Sequence, residues 1–187
     1  MAILKTLAGA LGGKPLVAGI ASLSTGEAVS LARAAQEAGC AGLMVLPPYV
    51  YSTDWREMKA HVAAVLRATK LPAMLYNNPP AYKTDYLPEQ IAELAAEFPT
   101  LRAVKESSGD TRRVTAIRAL LGDRLTILVG MDDAIVEGFA AGAQGWVAGL
   151  VNAFPAETVA LFDAAMRGDR APRTRSADCR IGAKIFS

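Results

Sequence analysis

Apolar runs of strand length alternate with longer stretches of helical period along nearly the whole chain, and that alternation limits the folds open to it. The strand-like runs are Leu16–Ile20, Gly42–Leu46, Leu71–Tyr76, Leu101–Lys105, Leu125–Val129 and Gly145–Val151. Helical period runs through Thr25–Ala38, Trp55–Ala68, Pro88–Glu97, Thr111–Leu121 and Asp133–Ala141, with a further helix at Pro155–Met166. The strand-like runs are continuously apolar, which predicts burial on both faces and a parallel sheet covered by helices. The punctuation agrees. Ser24 and Glu27 have capping-box spacing. Gly39, Gly122 and Gly142 stand where helices should stop, and Pro88 and Pro155 stand near helix starts. Repeated βα units of this kind build either a doubly wound sheet or a β/α barrel.

Composition narrows the function classes. With 187 residues, 52% hydrophobic and 20% charged, at a net charge of +2, the chain can bury the core of one soluble domain. Its charges are interspersed and no basic stripe interleaves with its aromatics, which speaks against nucleic-acid binding. Cys40 and Cys179 form no disulfide framework, and no CxxC pair offers a zinc site. Cys40, after Gly39, reads as core packing, and the composition fits a reducing cytoplasm. His61, the single histidine, cannot build a metal cluster alone and reads as helix surface or packing. Lys14-Pro15 interrupts the apolar start, and Glu137, Gln144 and several glycines break the window Ile135–Phe154, so no membrane span is expected.

The chemistry concentrates at two strand ends. Lys105 closes the run Leu101–Lys105, and Tyr76 closes another run 29 positions upstream. Parallel βα repeats would bring both ends to one face. A lysine in an apolar strand is costly to bury charged, whereas a neutral amine at a barrel mouth is the nucleophile that makes an imine with a ketone. The plainer alternative is a first solvent-exposed residue after the strand. In Tyr76-Asn77-Asn78-Pro79 a phenol could relay protons while asparagines hold the loop. The same residues also make an ordinary turn. Asp110 reads as a helix N-cap, and Gly130-Met131-Asp132-Asp133 as a strand end with capping acids. Gly145-Trp146-Val147-Ala148-Gly149 either lets a ligand carboxylate approach or forms a tightly packed last strand. Gly9–Lys14 is no phosphate loop, because Pro15 stands where Ser or Thr is required. Glu57 and Lys59 belong to the solvated face of a helix.

Taken together, Leu75-Tyr76-Asn77-x-Pro79 followed by Val104-Lys105-Glu106 and Gly109-Asp110 resembles the dihydrodipicolinate synthase and N-acetylneuraminate lyase family of Schiff-base aldolases. The resemblance runs from Lys14 to Arg170. It implies an α/β fold, a (β/α)8 TIM barrel, in an enzyme that is usually tetrameric. It implies that Lys105 forms the imine with a 2-oxo acid and that Tyr76 relays protons, with Val147, Gly145 and Asn77 beside the substrate. No metal or organic cofactor is implied, because the imine is itself the electron sink.

The departures shape the expectation. The family's Gly-Thr-Thr-Gly-Glu-like motif, which binds the substrate carboxylate, has no counterpart: Ser24-Thr25-Gly26-Glu27 looks similar but follows the wrong strand. Aligned on the family, the six strands are the third to the eighth. Residues 1–170 then form a partial barrel cut short at both ends, and residues 171–187 an irregular tail. Ala81 stands where dihydrodipicolinate synthases carry arginine, and Pro48-Tyr49-Val50 replaces their Pro-Tyr-Tyr. Tyr-Asn-Asn-Pro with Ala81-Tyr82 is more similar to members that eliminate or deaminate, such as 1-pyrroline-4-hydroxy-2-carboxylate deaminase or sugar-acid dehydratases. The expectation is a cytoplasmic, homo-oligomeric lyase for a small 2-oxo acid or cyclic imine, without nucleic-acid or membrane partners. A second reading is a non-catalytic remnant that associates through open barrel edges. A nucleotide-binding doubly wound domain lacks its glycine-rich fingerprint.

Overall fold

Six strands lie side by side in chain order: β1 (Val17–Ile20), β2 (Gly42–Val45), β3 (Ala73–Asn77), β4 (Leu101–Glu106), β5 (Thr126–Val129) and β6 (Gly145–Trp146). Every neighbouring pair is parallel. The computed structural model describes residues 2–48 and 54–168, so the expected C-terminal tail and the Tyr49-Val50 comparison lie outside the described residues. A doubly wound sheet reverses its strand order at a switch point. Unbroken order in an all-parallel sheet is instead that of consecutive βα units of a (β/α)8 barrel.

The connecting helices are α2 (Thr25–Glu37), α3 (Trp55–Ala68), α5 (Pro88–Glu97), α6 (Arg112–Leu121) and α7 (Ile135–Ala140). Helix α1 (Ala2–Ala10) precedes the sheet, α4 (Pro79–Tyr82) follows β3, and α8 (Pro155–Met166) follows β6. Each long connecting helix buries residues at three- and four-residue spacing: Ala28, Ala32 and Ala35 on α2, Met58, Val62, Val65 and Leu66 on α3, Ile91, Leu94 and Ala95 on α5. They close over Leu43, Val45, Leu75, Leu101, Val104 and Ile127. The opposite sheet face, with Met44, Met74, Tyr76, Ala103, Lys105 and Leu128, is only half-buried. That departs from the expected burial on both faces. Helices cover one side of the sheet, and a barrel covers the other only with strands that face it across the axis.

Elements sit where the pattern placed them, with instructive exceptions. β6 was expected to reach Val151 but ends at Trp146. The Asp132 carboxylate accepts from the Gly149 N–H (3.1 Å) and the Leu150 N–H (2.8 Å), pulling the chain into a 3-10 turn at Leu150–Asn152. α4 was not expected. Asn78 Oδ1 accepts from the Ala81 N–H (3.2 Å), prolines fill the first positions, and Lys83 ends the helix in the left-handed region (φ 59°). The Ser24 cap forms only half of its box: Ser24 accepts from the Glu27 N–H (3.2 Å), whereas the Glu27 carboxylate takes the Ser22 hydroxyl (2.6 Å). Cys40 is buried in the core as expected. His61 is also buried, with Nδ1 3.0 Å from Thr25 Oγ1 and a ring bond to the Leu46 backbone; burial pushes its imidazole below the ordinary range. Among the described residues no helix is long and apolar enough to cross a membrane.

One arginine fastens the amino-terminal end of the sheet. Arg124, just before β5, donates to Leu101 O (2.7 Å), Ala95 O (2.8 Å) and Phe98 O (3.0 Å). It thereby satisfies carbonyls at the end of α5 and the start of β4 together. We expect Arg124→Met, which keeps the apolar stem and removes the donors, to lower unfolding free energy by about 2 kcal/mol. Urea denaturation with an unchanged m-value would check it.

Candidate active site

The pairing of β3 with β4 decides which side chains meet. Ala73 pairs with Leu101, but Met74 pairs with Ala103, so Arg102 is an extra, exposed residue. Beyond that bulge Tyr76 stands opposite Lys105, and Asn77 opposite Glu106. Residues opposite each other in a parallel ladder share a face, so Tyr76 and Lys105 project together at the carboxyl ends of their strands. Lys105 Nζ lies 4.2 Å from the centroid of the Tyr76 ring, within cation–π range, and makes no ion pair among the described residues. The Tyr76 hydroxyl oxygen accepts from Asn78 Nδ2 (2.8 Å), and Tyr82 packs edge-on against its ring at 5.7 Å.

Two residues on the same face, Ser107 and Gly130, are not among the expected site residues. Ser107, two positions beyond Lys105, is fully buried, and its Oγ has no hydrogen-bond partner among the described residues. Gly130, at the end of β5, faces both. A Cβ there would fall 1.8 Å from Ser107 Oγ and 2.7 Å from Lys105 Cε, so only the missing side chain lets the three residues share this space. Gly145 lies on the same row, opposite Leu128, which stands opposite Lys105. A Cβ on Gly145 would come 2.9 Å from Leu128 Cδ2, a packing reason for glycine. Val147 commits its N–H to Val129 O (2.9 Å).

Asn77 requires a correction. It falls on the opposite, helix-facing side and is fully buried. Its Nδ2 donates to Glu106 Oε2 (3.0 Å), Asp85 Oδ1 (3.2 Å) and Tyr86 O (3.3 Å), while its Oδ1 accepts from the Tyr86 N–H (3.0 Å). The amide has nothing left for a ligand on the Lys105 side. It joins the ends of β3 and β4 to the segment before α5. Arg113 completes this clamp with a bidentate pair to Asp85, both contacts 2.6 Å. Burial pushes the Glu106 carboxyl above the ordinary carboxylate range, against the opposing bonds from Asn77 and Ser108 and the Arg113 charge. The Ser108 N–H donates to Glu106 Oε1 (2.6 Å). In the sequence, Glu106 carried one usable signal, an acid directly after an apolar strand. Asp85 and Arg113 carried none.

Comparison with known proteins follows the same lines. A model of the dihydrodipicolinate synthetase family matches residues 1–178. The 4-hydroxy-tetrahydrodipicolinate synthase of Sorangium cellulosum is 36% identical over 169 residues, 90% of this chain and 56% of that protein. The chain spans about half the length of the curated relatives it matches. The crystal structure of the Aquifex aeolicus dihydrodipicolinate synthase superposes with a TM-score of 0.85 at 29% identity, covering 90% of this chain and 58% of that one. The chloride-inhibited synthase from Acinetobacter baumannii, complexed with pyruvate, gives 0.83 at 27% identity with the same coverage.

Glu106 supplies a pH test of the clamp. Its carboxyl protonates more readily in the folded chain than in the unfolded one. The contribution of Glu106 to stability is therefore greatest below the unfolded value of about 4.3 and is lost as pH rises through the raised folded value. Glu106→Gln should flatten that limb while costing about 1–3 kcal/mol at acid pH, because the new amide opposes the Asn77 donor. Urea midpoints of both proteins between pH 4 and pH 8 would show it, on the order of one proton's linkage.

Proposed function

The chain belongs to the dihydrodipicolinate synthetase family, and from that premise we propose that it is a Schiff-base lyase acting on a small 2-oxo acid or its cyclic imine. The observation that carries the reading is the amine of Lys105 held 4.2 Å over the Tyr76 ring at adjacent strand ends. Pyruvate, present in the A. baumannii relative, is a 2-oxo acid of this class.

In this reading Lys105 Nζ attacks C2 of the substrate; the carbinolamine of a 2-oxo acid loses water, or the aminal of a cyclic imine releases its ring amine, to give an iminium. The iminium draws electron density from C3, Tyr76 helps move the C3 proton, and an enamine forms. Its electron pair then expels hydroxide or an amine from the carbon beyond C3. In the carbon–carbon variant, the iminium accepts the pair of a breaking C3–C4 bond. Water hydrolyses the final imine and frees Lys105. Gly145 and Val147 stay in the proposal as backbone lining the far side of the site. Asn77 enters it only through the strand ends that it ties together.

Elimination fits α4 better than condensation with a carboxylated aldehyde. By the family resemblance Ala81 stands where dihydrodipicolinate synthases carry an arginine for a second carboxylate, and Lys83 turns its Nζ onto Pro80 O (3.0 Å). Assembly belongs to the same reading: Leu23 and Leu31 expose apolar side chains around the β1–α2 turn that suit contact with further copies.

Borohydride reduction in the presence of pyruvate, read by peptide mass, tests the proposal. We expect a reduced adduct on the Lys105 peptide, none in Lys105→Ala, and a retained adduct in Tyr76→Phe. In the last variant, deuterium exchange at the pyruvate methyl should slow by roughly 100-fold. A folded native sample without adduct would sink the assignment.

A further inference from the structure

Asn78 forms two hydrogen bonds that together fix the direction of a third. Its Oδ1 accepts from the Ala81 N–H (3.2 Å), and a backbone amide can only donate. The orientation of the side-chain amide is thereby settled, and the group turned toward Tyr76 is Nδ2. Nδ2 can only donate, so the 2.8 Å contact makes the phenol oxygen its acceptor. The phenol proton then has to point away from Asn78.

We propose that Asn78 is a positioning residue for proton transfer: by capping α4 and donating to Tyr76, it keeps the phenol proton turned away from α4 and available to the reaction. This rests on the roles proposed above for Lys105 and Tyr76. The supports are all local. Tyr82, on the same four-residue helix, packs edge-on against the Tyr76 ring, so its rotation is restricted as well as its hydrogen-bond direction. Lys105 holds its amine over the ring face, so a substrate carbon bonded to Nζ starts beside the same phenol. Without the Asn78 donor, the phenol could satisfy itself by donating to any nearby acceptor, and the proton would be lost to the reaction.

Asn78→Asp separates this role from plain capping. Aspartate caps as well as asparagine does, so α4 is kept. Its carboxylate cannot donate, however, and it takes the phenol proton for itself. We expect imine trapping on Lys105 to stay within twofold of native while methyl deuterium exchange from bound pyruvate slows by roughly tenfold or more. In a Tyr76→Phe background the same substitution should cost nothing further, because Asn78 acts through the phenol. Unchanged exchange in Asn78→Asp, or an equal loss in both backgrounds, overturns the proposal. A readout independent of catalysis decides the hydrogen bond itself: the Asn78 side-chain amide proton resonance should move upfield in Tyr76→Phe. If it does not move, the proposal falls, whether or not Lys105 forms an imine. If the native chain traps no imine while that resonance does move, the Lys105 reading fails and the Asn78–Tyr76 bond stands.

Discussion

One extra residue in β4 determines what the site can be. Ala73 opposite Leu101 sets an offset that, continued, would place Tyr76 opposite Val104 and Asn77 opposite Lys105. A one-residue slip in a parallel ladder exchanges the faces of the whole strand. Lys105 would then point under α5 and α6 into the packed layer, where a charged amine is costly to bury. The bulge at Arg102 removes that outcome. It leaves an arginine in solvent, where a charge costs little, and turns Lys105 to the half-open face beside a phenol.

The same register divides the strand ends into two layers with different work. On the inner face Tyr76, Lys105, Ser107 and Gly130 crowd together with little polar saturation, and the Ser107 hydroxyl has no partner among the described residues. On the outer face Asn77, Glu106, Asp85 and Arg113 are heavily cross-bonded. A carboxylate as buried as Glu106 is costly to keep charged, and its bonds offset only part of that cost, as its upward shift records. That cost is tolerable where strand ends must be held at a set spacing so that an amine and a phenol stay in contact. At the opposite end of the sheet Arg124 binds three carbonyls, a stabilising contact of the kind expected at that end of a barrel.

Much of this was legible locally, and the misses share a cause. The strands and long helices follow from apolar period, because burial is a face-by-face property that sequence spacing reports. The meeting of Tyr76 and Lys105 followed from repeat length. Even the bulge left a trace, since buried Leu101 and Val104 are three apart, a spacing no regular strand gives to one face. The errors lie where distant groups intervene. Gly145–Val151 reads as one strand, but Asp132 captures the amides of Gly149 and Leu150 from another loop. Asn77 reads as a ligand residue beside Tyr76. Strand alternation turns it the other way, and its partners Asp85, Tyr86 and Glu106 lie 8 to 29 positions along the chain.

The two neighbouring asparagines after Tyr76 show how one short segment can serve both layers. Asn77 is still in the strand, so its amide faces the helices, where it bonds the Tyr86 backbone and the Glu106 and Asp85 carboxylates. Asn78 has left the strand with φ −145° and ψ 74°, a conformation that ends the ladder and starts α4. That turn swings its amide back to the inner face, where one end caps the helix and the other meets the phenol. Identical chemistry thus does unlike work because the backbone changes direction between the two residues. The prolines that follow make the change of direction durable: they need no donors in the first turn, and their fixed φ leaves α4 few other ways to begin. A four-residue helix has almost no stability of its own. Here it persists through its contacts with Tyr76, which ties the order of α4 to the presence of the same side chain whose proton it directs.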